Sequence, residues 1–212
     1  MSAIPLENNY GYWPYSEKPF HAGELDYEEV IARLKTGWEK SRQKELKLRY
    51  GYQLVRLAHY THRYEESIAF FDTYVESLRF RPAMYYHALS QKAGAERGNG
   101  EVSLANYHFL QVFTHSANLK ESAVRSIRLN RNMDWEDLVR HAAPTGELND
   151  AYLLLGYFSF SNPLNEIPKI LANDPDAIQA KILIMRAINQ IEREDLFLPG
   201  SLPATGEGAF PG

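Results

Sequence analysis

The sequence predicts an all-α fold built from antiparallel helix pairs stacked as an array. Three observations carry that expectation. Apolar residues advance in steps of three and four with few breaks from Glu24 to Glu194, the spacing that gathers them on one helix face. Strand-like alternation never persists for more than a few residues. A small or hydroxyl residue followed four positions later by phenylalanine occurs at Ser67 and Phe71 and again at Ala105 and Phe109, 38 residues apart. That self-similarity is the signature of stacked helix pairs.

Residues 1–23 read as an N-terminal arm. They carry three prolines, Gly11 and Gly23, and the aromatics Tyr10, Tyr12, Trp13, Tyr15 and Phe20. Disordered tails are usually poor in aromatics, so an extended arm that lays these rings on the domain is expected. Residues 24–195 form the helical-repeat domain and residues 196–212 a Pro/Gly-rich tail or linker. Adjacent acids at Glu28–Glu29 and Glu65–Glu66 suit helix starts, where they complement the helix dipole.

Within the domain, Tyr50, Leu54, Leu57 and Ala58 form one apolar stripe, and Tyr64, Ile68, Phe71, Val75 and Leu78 form the next. The tripeptide Thr61–Arg63 between them leaves room only for an antiparallel corner. Pro82, Pro163 and Pro175 fit the first turns of later helices, where the missing N–H costs nothing. Asn162, Asp174 and Asp134 are suited to N-caps, the last for a helix whose Trp135, Leu138, Val139 and Ala142 share a face. Ala151, Leu154, Leu155 and Phe158 do the same in the next segment. The stretch from Ala177 to Glu194 presents Ile178, Ile182, Met185 and Ile188 on one side and Ile184, Ala187 and Ile191 on another, the pattern of a helix packed on two sides.

The 212 residues contain 44% hydrophobic and 24% charged residues, a balance normal for a folded domain. A net charge of −4 argues against a nucleic-acid partner, which usually needs a basic face. There is no cysteine, so disulfides, thiolate metal sites and cysteine nucleophiles are excluded. The N-terminus lacks the basic start and apolar core of a signal peptide. No apolar run reaches the length of a membrane span.

Ser67, Phe71, Ala105 and Phe109, with small residues at Ala58 and Ala93–Ala95, resemble the tetratricopeptide repeat, whose period is about 34 residues. The resemblance implies a right-handed superhelical α-solenoid. The chain departs from that pattern at the corners: His62 stands where the repeat usually has glycine, and the second corner, Arg97–Glu101, is longer. From Leu46 to Glu194 the order of segments is also similar to large helical-repeat proteins of Bacteroidota whose function is not characterised. That similarity implies a place in a longer array and contributes no catalytic residues.

No catalytic constellation emerges. Gly-x-Ser-x-Gly, His-Glu-x-x-His and phosphate-loop motifs are absent, and no cofactor or metal is implied. His59 and His62 have a zinc-compatible spacing without a third ligand. His108 and His115 read as a surface face. Leu202–Gly206 spells the pentapeptide that sortases cut, but without the apolar and basic segments that a sorting signal needs; it reads as coincidence in a Pro/Gly-rich linker.

Tyr50, Tyr64, Phe71 and Tyr74 are expected between repeats, and Tyr52 and Tyr60 in a groove. The groove candidates are Arg49, Tyr52, Arg56 and His59, spaced 3, 4 and 3 apart, with Arg97 extending the stripe from the next pair. Arginine's planar donors suit carboxylates. The expected function is therefore a protein–protein interaction or scaffolding module without catalysis, its partner a protein or peptide bearing acidic groups. Neither nucleic acid nor membrane insertion is expected. The reading from another class is an α-helical enzyme or a glycan-binding accessory protein of the cell envelope. Two converging carboxylates in a deep pocket would favour it.

Overall fold

A computed structural model of the chain describes residues 26–127, 135–143, 146–158 and 162–193. Those residues are helical, with no strand among them. The aromatic arm, the Pro/Gly-rich tail with Leu202–Gly206, and the Asp134 cap lie outside the described residues.

Among the described residues, ten α-helices follow one another: α1 (Tyr27–Lys40), α2 (Lys44–Tyr60), α3 (Tyr64–Tyr74), α4 (Ala83–Gly98), α5 (Val102–His115), α6 (Lys120–Ser126), α7 (Trp135–Ala142), α8 (Leu148–Tyr157), α9 (Ile167–Asn173) and α10 (Ile178–Glu192). Local chemistry sets their ends. The Asp26 carboxylate accepts from the backbone N–H groups of Glu28 and Glu29 at 3.0 and 3.3 Å, satisfying two orphan donors of α1. Glu28 and Glu29 then fill its first turn, and Glu65 and Glu66 fill that of α3.

The corner from α2 to α3 falls on Thr61–Arg63. The Arg63 N–H bonds the Ala58 carbonyl at 2.9 Å, and His62 sits between them at φ 61°. The corner from α4 to α5 repeats this geometry: the Glu101 N–H bonds the Glu96 carbonyl at 2.8 Å, around Gly100 at φ 89°. A helix ending of this kind needs one left-handed residue. Glycine supplies it freely, whereas histidine is among the few other residues enriched there. The two corners lie 38 residues apart, as do Ser67 and Ala105.

Helices pack chiefly on their neighbours in chain order. α2 lies against α1, α3 and α4; α5 lies against α4, α6 and α7; α8 lies against α7, α9 and α10. Among the described residues the core forms three clusters along this order. The first is centred on Leu54, Val55, Phe71, Val75 and Leu89; the second on Phe109, Leu110, Leu138 and Leu154; the third on Leu153, Ile170 and Leu183. Phe71 and Phe109 are both buried. Ser67 is fully buried beside Phe71 and donates from Oγ to the Val55 carbonyl at 2.9 Å, a bond that offsets the cost of taking its hydroxyl out of water.

Three local expectations are corrected. Pro82 is the N-cap of α4, one residue before its first turn. Asp174 and Pro175 make a turn, closed by the Asp176 N–H on Asp174 Oδ1 at 3.0 Å, and α10 begins only at Ile178. Both chain paths use proline's fixed φ, so the residue alone does not separate them. Asn162 does cap, accepting from the Leu164 N–H at 2.9 Å, but the cap opens a short 3₁₀ turn with Pro163 at its start.

The largest correction concerns α10. It buries Ala180, Leu183 and Ala187, while Ile178, Ile182, Ile184, Met185, Ile188 and Ile191 are all exposed. Among the described residues the helix is covered on one side, not two, and the side facing the core is the one with smaller side chains.

Candidate functional site

The sequence-predicted groove residues occupy α2 and the end of α4. Arg49 and Arg56 are exposed, whereas Tyr52, His59 and Arg97 are half-buried. The structure brings His59 and Arg97 into one cleft of about 400 Å³, also lined by Tyr60, Tyr64, Ser90, Gln91, Gly94, Gly98, Phe109 and Ser126. Arg56 is not part of the lining; its guanidinium lies 5.5 Å from the ring centroid of Tyr60, which is. Tyr52 stands earlier on α2, edge-on to His87 of α4 at 6.3 Å. Arg49 lies ten residues before His59, about 15 Å along the helix, and is not part of the cleft lining.

Two features of the sequence open this cleft. Gly94 removes a side chain where the His59 ring enters: a Cβ there would sit 2.4 Å from His59 Cε1. Gly98 does the same for the ring of Tyr64. His59 donates from Nδ1 to Gln91 Oε1 at 2.9 Å and stacks on Tyr60 with centroids 5.4 Å apart. This bond fixes the tautomer that leaves Nε2 as an acceptor. Burial lowers the His59 pKa below its ordinary value, against the opposing effect of Gln91, and nearby His62 lowers it further. The ring is therefore neutral at neutral pH. Arg97 donates to the Ser126 carbonyl and lies 4.8 Å from the Phe109 ring. That guanidinium holds the end of α6 against α4 while facing the cleft.

The resulting chemistry is one-sided. Among the described residues, histidine, glutamine, serine, tyrosine and arginine line the cleft, and no carboxylate does. Its walls can donate to an anionic or carbonyl group and offer aromatic faces beside it.

A second cleft, of about 330 Å³, is lined by Arg81, Tyr85, Tyr86, Gln111, His115 and Glu147. Here the expectation of a surface histidine face is corrected in part: His115 is exposed, as expected, whereas His108 is half-buried, and each pairs with a buried acid. His115 donates from Nε2 to Glu147 Oε1 at 2.9 Å and stacks on Tyr86, while Glu147 itself is buried. His108 donates to Glu96 Oε2 at 2.6 Å, and Glu96 is fully buried. Glu101, the nearby carboxylate in the sequence, instead accepts from Asn99 at 3.0 Å. Sequence reasoning missed Glu96 although a signal exists. It stands in helical phase with Leu89 and Ala93 on the core face of α4, where an acid needs a buried partner.

At the edge of this second cleft, Tyr85 donates to Glu76 at 2.6 Å and Arg81 to the other oxygen at 2.7 Å. Burial pushes the Glu76 carboxyl up, but the bonds from Tyr85 and Arg81 and the arginine charge outweigh it and hold the pKa below its ordinary value. Burial and the Glu76 bond push the Tyr85 hydroxyl well up, so it stays a donor.

Among the described residues, no three His, Asp or Glu side chains converge as a metal site, and no helix is long and apolar enough to cross a membrane. Compared with protein-family models, curated proteins and solved structures, the chain matches none.

Proposed function

We propose that the chain is a protein–protein interaction or scaffolding module with no catalytic activity of its own. In this reading its helix pairs stack as a right-handed, tetratricopeptide-like array. The matching corners at His62 and Gly100, each closed by the same backbone bond, support equivalence of the two best-formed pairs. The ligand-facing surface is the stripe Arg49, Tyr52, Arg56 and His59, continuing through the cleft to Arg97. The observation that carries this reading is that cleft. It spans two successive helix pairs, presents donors and aromatic rings, and has no carboxylate among the described residues that line it. Among the described residues, neither cleft is lined by the two carboxylates of a general acid–base pair, and this favours the interaction reading.

An extended peptide with acidic side chains fits this surface. Arg49 and Arg56 lie seven residues apart, about 10 Å along the helix. That separation suits two acidic groups on one peptide better than one bidentate carboxylate. His59 is neutral near pH 7 and adds a hydrogen bond there rather than a charge. Binding of acidic peptides by the purified chain, read by fluorescence anisotropy, should weaken as salt is added, because exposed charges are screened over about 8–10 Å. Arg49→Ala with Arg56→Ala should abolish binding and leave the melting temperature nearly unchanged, since both side chains are exposed. A double variant that folds and binds acidic peptides at wild-type strength would remove this surface from the proposal.

A further inference from the structure

The exposed face of α10 is self-complementary, and we propose that two copies of this chain pair through it, antiparallel, about a two-fold axis between Arg186 and Ala187. The apolar content of the face comes first. Ile178 is 61% exposed, Met185 59%, and Ile184 and Ile188 are near 40%. Isoleucines grouped on one side of a helix, opposite a buried side of Ala180, Leu183 and Ala187, mark a surface that gains free energy when covered.

The charges say what covers it. Lys181, Met185, Ile188 and Glu192 follow at spacings of 4, 3 and 4 and form one stripe down the middle of the exposed side. The stripe has a cation at one end, an anion at the other and apolar residues between. An antiparallel copy centred between residues 186 and 187 sets Lys181 against Glu192 of the second copy, and Met185 against its Ile188. Both ends pair with the opposite charge at once, as a two-fold interface requires. A parallel copy would set like against like at both ends.

A second observation points the same way. Lys181 closes the first turn of α10 and Glu192 ends its last, whereas α10 has no acid in its first turn and no base in its last. Both charges oppose the preference of the helix dipole, which favours acids at the N-terminus and bases at the C-terminus. No ion pair among the described residues engages either. An antiparallel copy reverses both penalties: each lysine meets the negative end of the neighbouring helix and each glutamate the positive end.

The test is analytical ultracentrifugation of the full chain over a range of concentrations. Wild type should show a monomer–dimer equilibrium. Lys181→Glu and Glu192→Lys, each alone, set like charges against each other at both ends and should weaken the dimer by about tenfold or more. An equimolar mixture of the two variants should restore it, because every facing pair is again opposite in sign. Circular dichroism should show both variants as helical as wild type, the positions being exposed. A wild type that remains monomeric throughout overturns the proposal. So does a dimer that either reversal leaves intact, or a mixture no tighter than the single variants.

Discussion

α4 and α10 are nearly equal in length, 16 and 15 residues, yet their sequences and surroundings are inverted. α4 is rich in alanine, glycine and serine and is enclosed by α2, α3 and α5. It buries Tyr85, Ala88, Leu89, Ala93, Ala95 and even Glu96. α10 carries five isoleucines, all of them exposed, and buries two alanines and one leucine. Side-chain hydrophobicity therefore does not rank these helices by burial. Small residues mark where other helices come close, because backbones approach only where side chains are short. Large apolar residues on an open face mark where a neighbour can still be added.

The largest expected effect tests the enclosed region. Phe71 is 2% exposed in the first core cluster, packed on Tyr85 with ring centroids 5.5 Å apart. Phe71→Ala should cost about 3–5 kcal/mol by urea denaturation, the range for truncating a buried aromatic. A loss below about 1 kcal/mol, the scale of a surface change, would mean that the α2–α4 region is no better packed than α10.

Gly51 sharpens the claim about close approach. A Cβ on Gly51 would lie 2.7 Å from the Tyr74 carbonyl oxygen and 2.9 Å from Val75 Cγ2. Gly51→Ala would gain about 1 kcal/mol of helix propensity on an open helix. Here the nearest obstacle is backbone, which cannot rotate aside, so overpacking of about 1–3 kcal/mol should win and the melting temperature should fall. A rise in melting temperature would show that α2 and the end of α3 separate at little cost, and that small residues there do not report packing.

The comparison also explains what the sequence could reveal. Helix content and the first corner were legible because a three-and-four period and a three-residue break leave few alternatives. The burial of Phe71 and Phe109 was legible for the same reason, since each lies at the centre of an apolar helix face. His59 and Arg97 were legible as polar positions on their helices. Gln91 and Ser126, which position them, were not, because contacts across 32 and 29 residues leave no mark in a local pattern. The Glu96–His108 and Glu147–His115 pairs escaped because charged residues on helices are usually solvated. The open face of α10 escaped for the opposite reason. A period search registers that a face is apolar, but whether anything lies against it is a tertiary fact.

The smallest expected effect lies on that face. Met185 is 59% exposed, so Met185→Ala removes little buried surface and leaves no cavity. At a concentration where the chain is monomeric, its unfolding free energy should change by no more than about 0.5 kcal/mol. Methionine and alanine both favour helix, so propensity adds little in either direction. The result separates two sources of cover for α10. A loss of about 2 kcal/mol, typical of truncating a buried methionine, would mean that the face is already covered within one chain. The contrast between α4 and α10 would then collapse. A loss within the surface range leaves the face open in the monomer, and any stabilisation it provides must then appear only as a dependence on protein concentration.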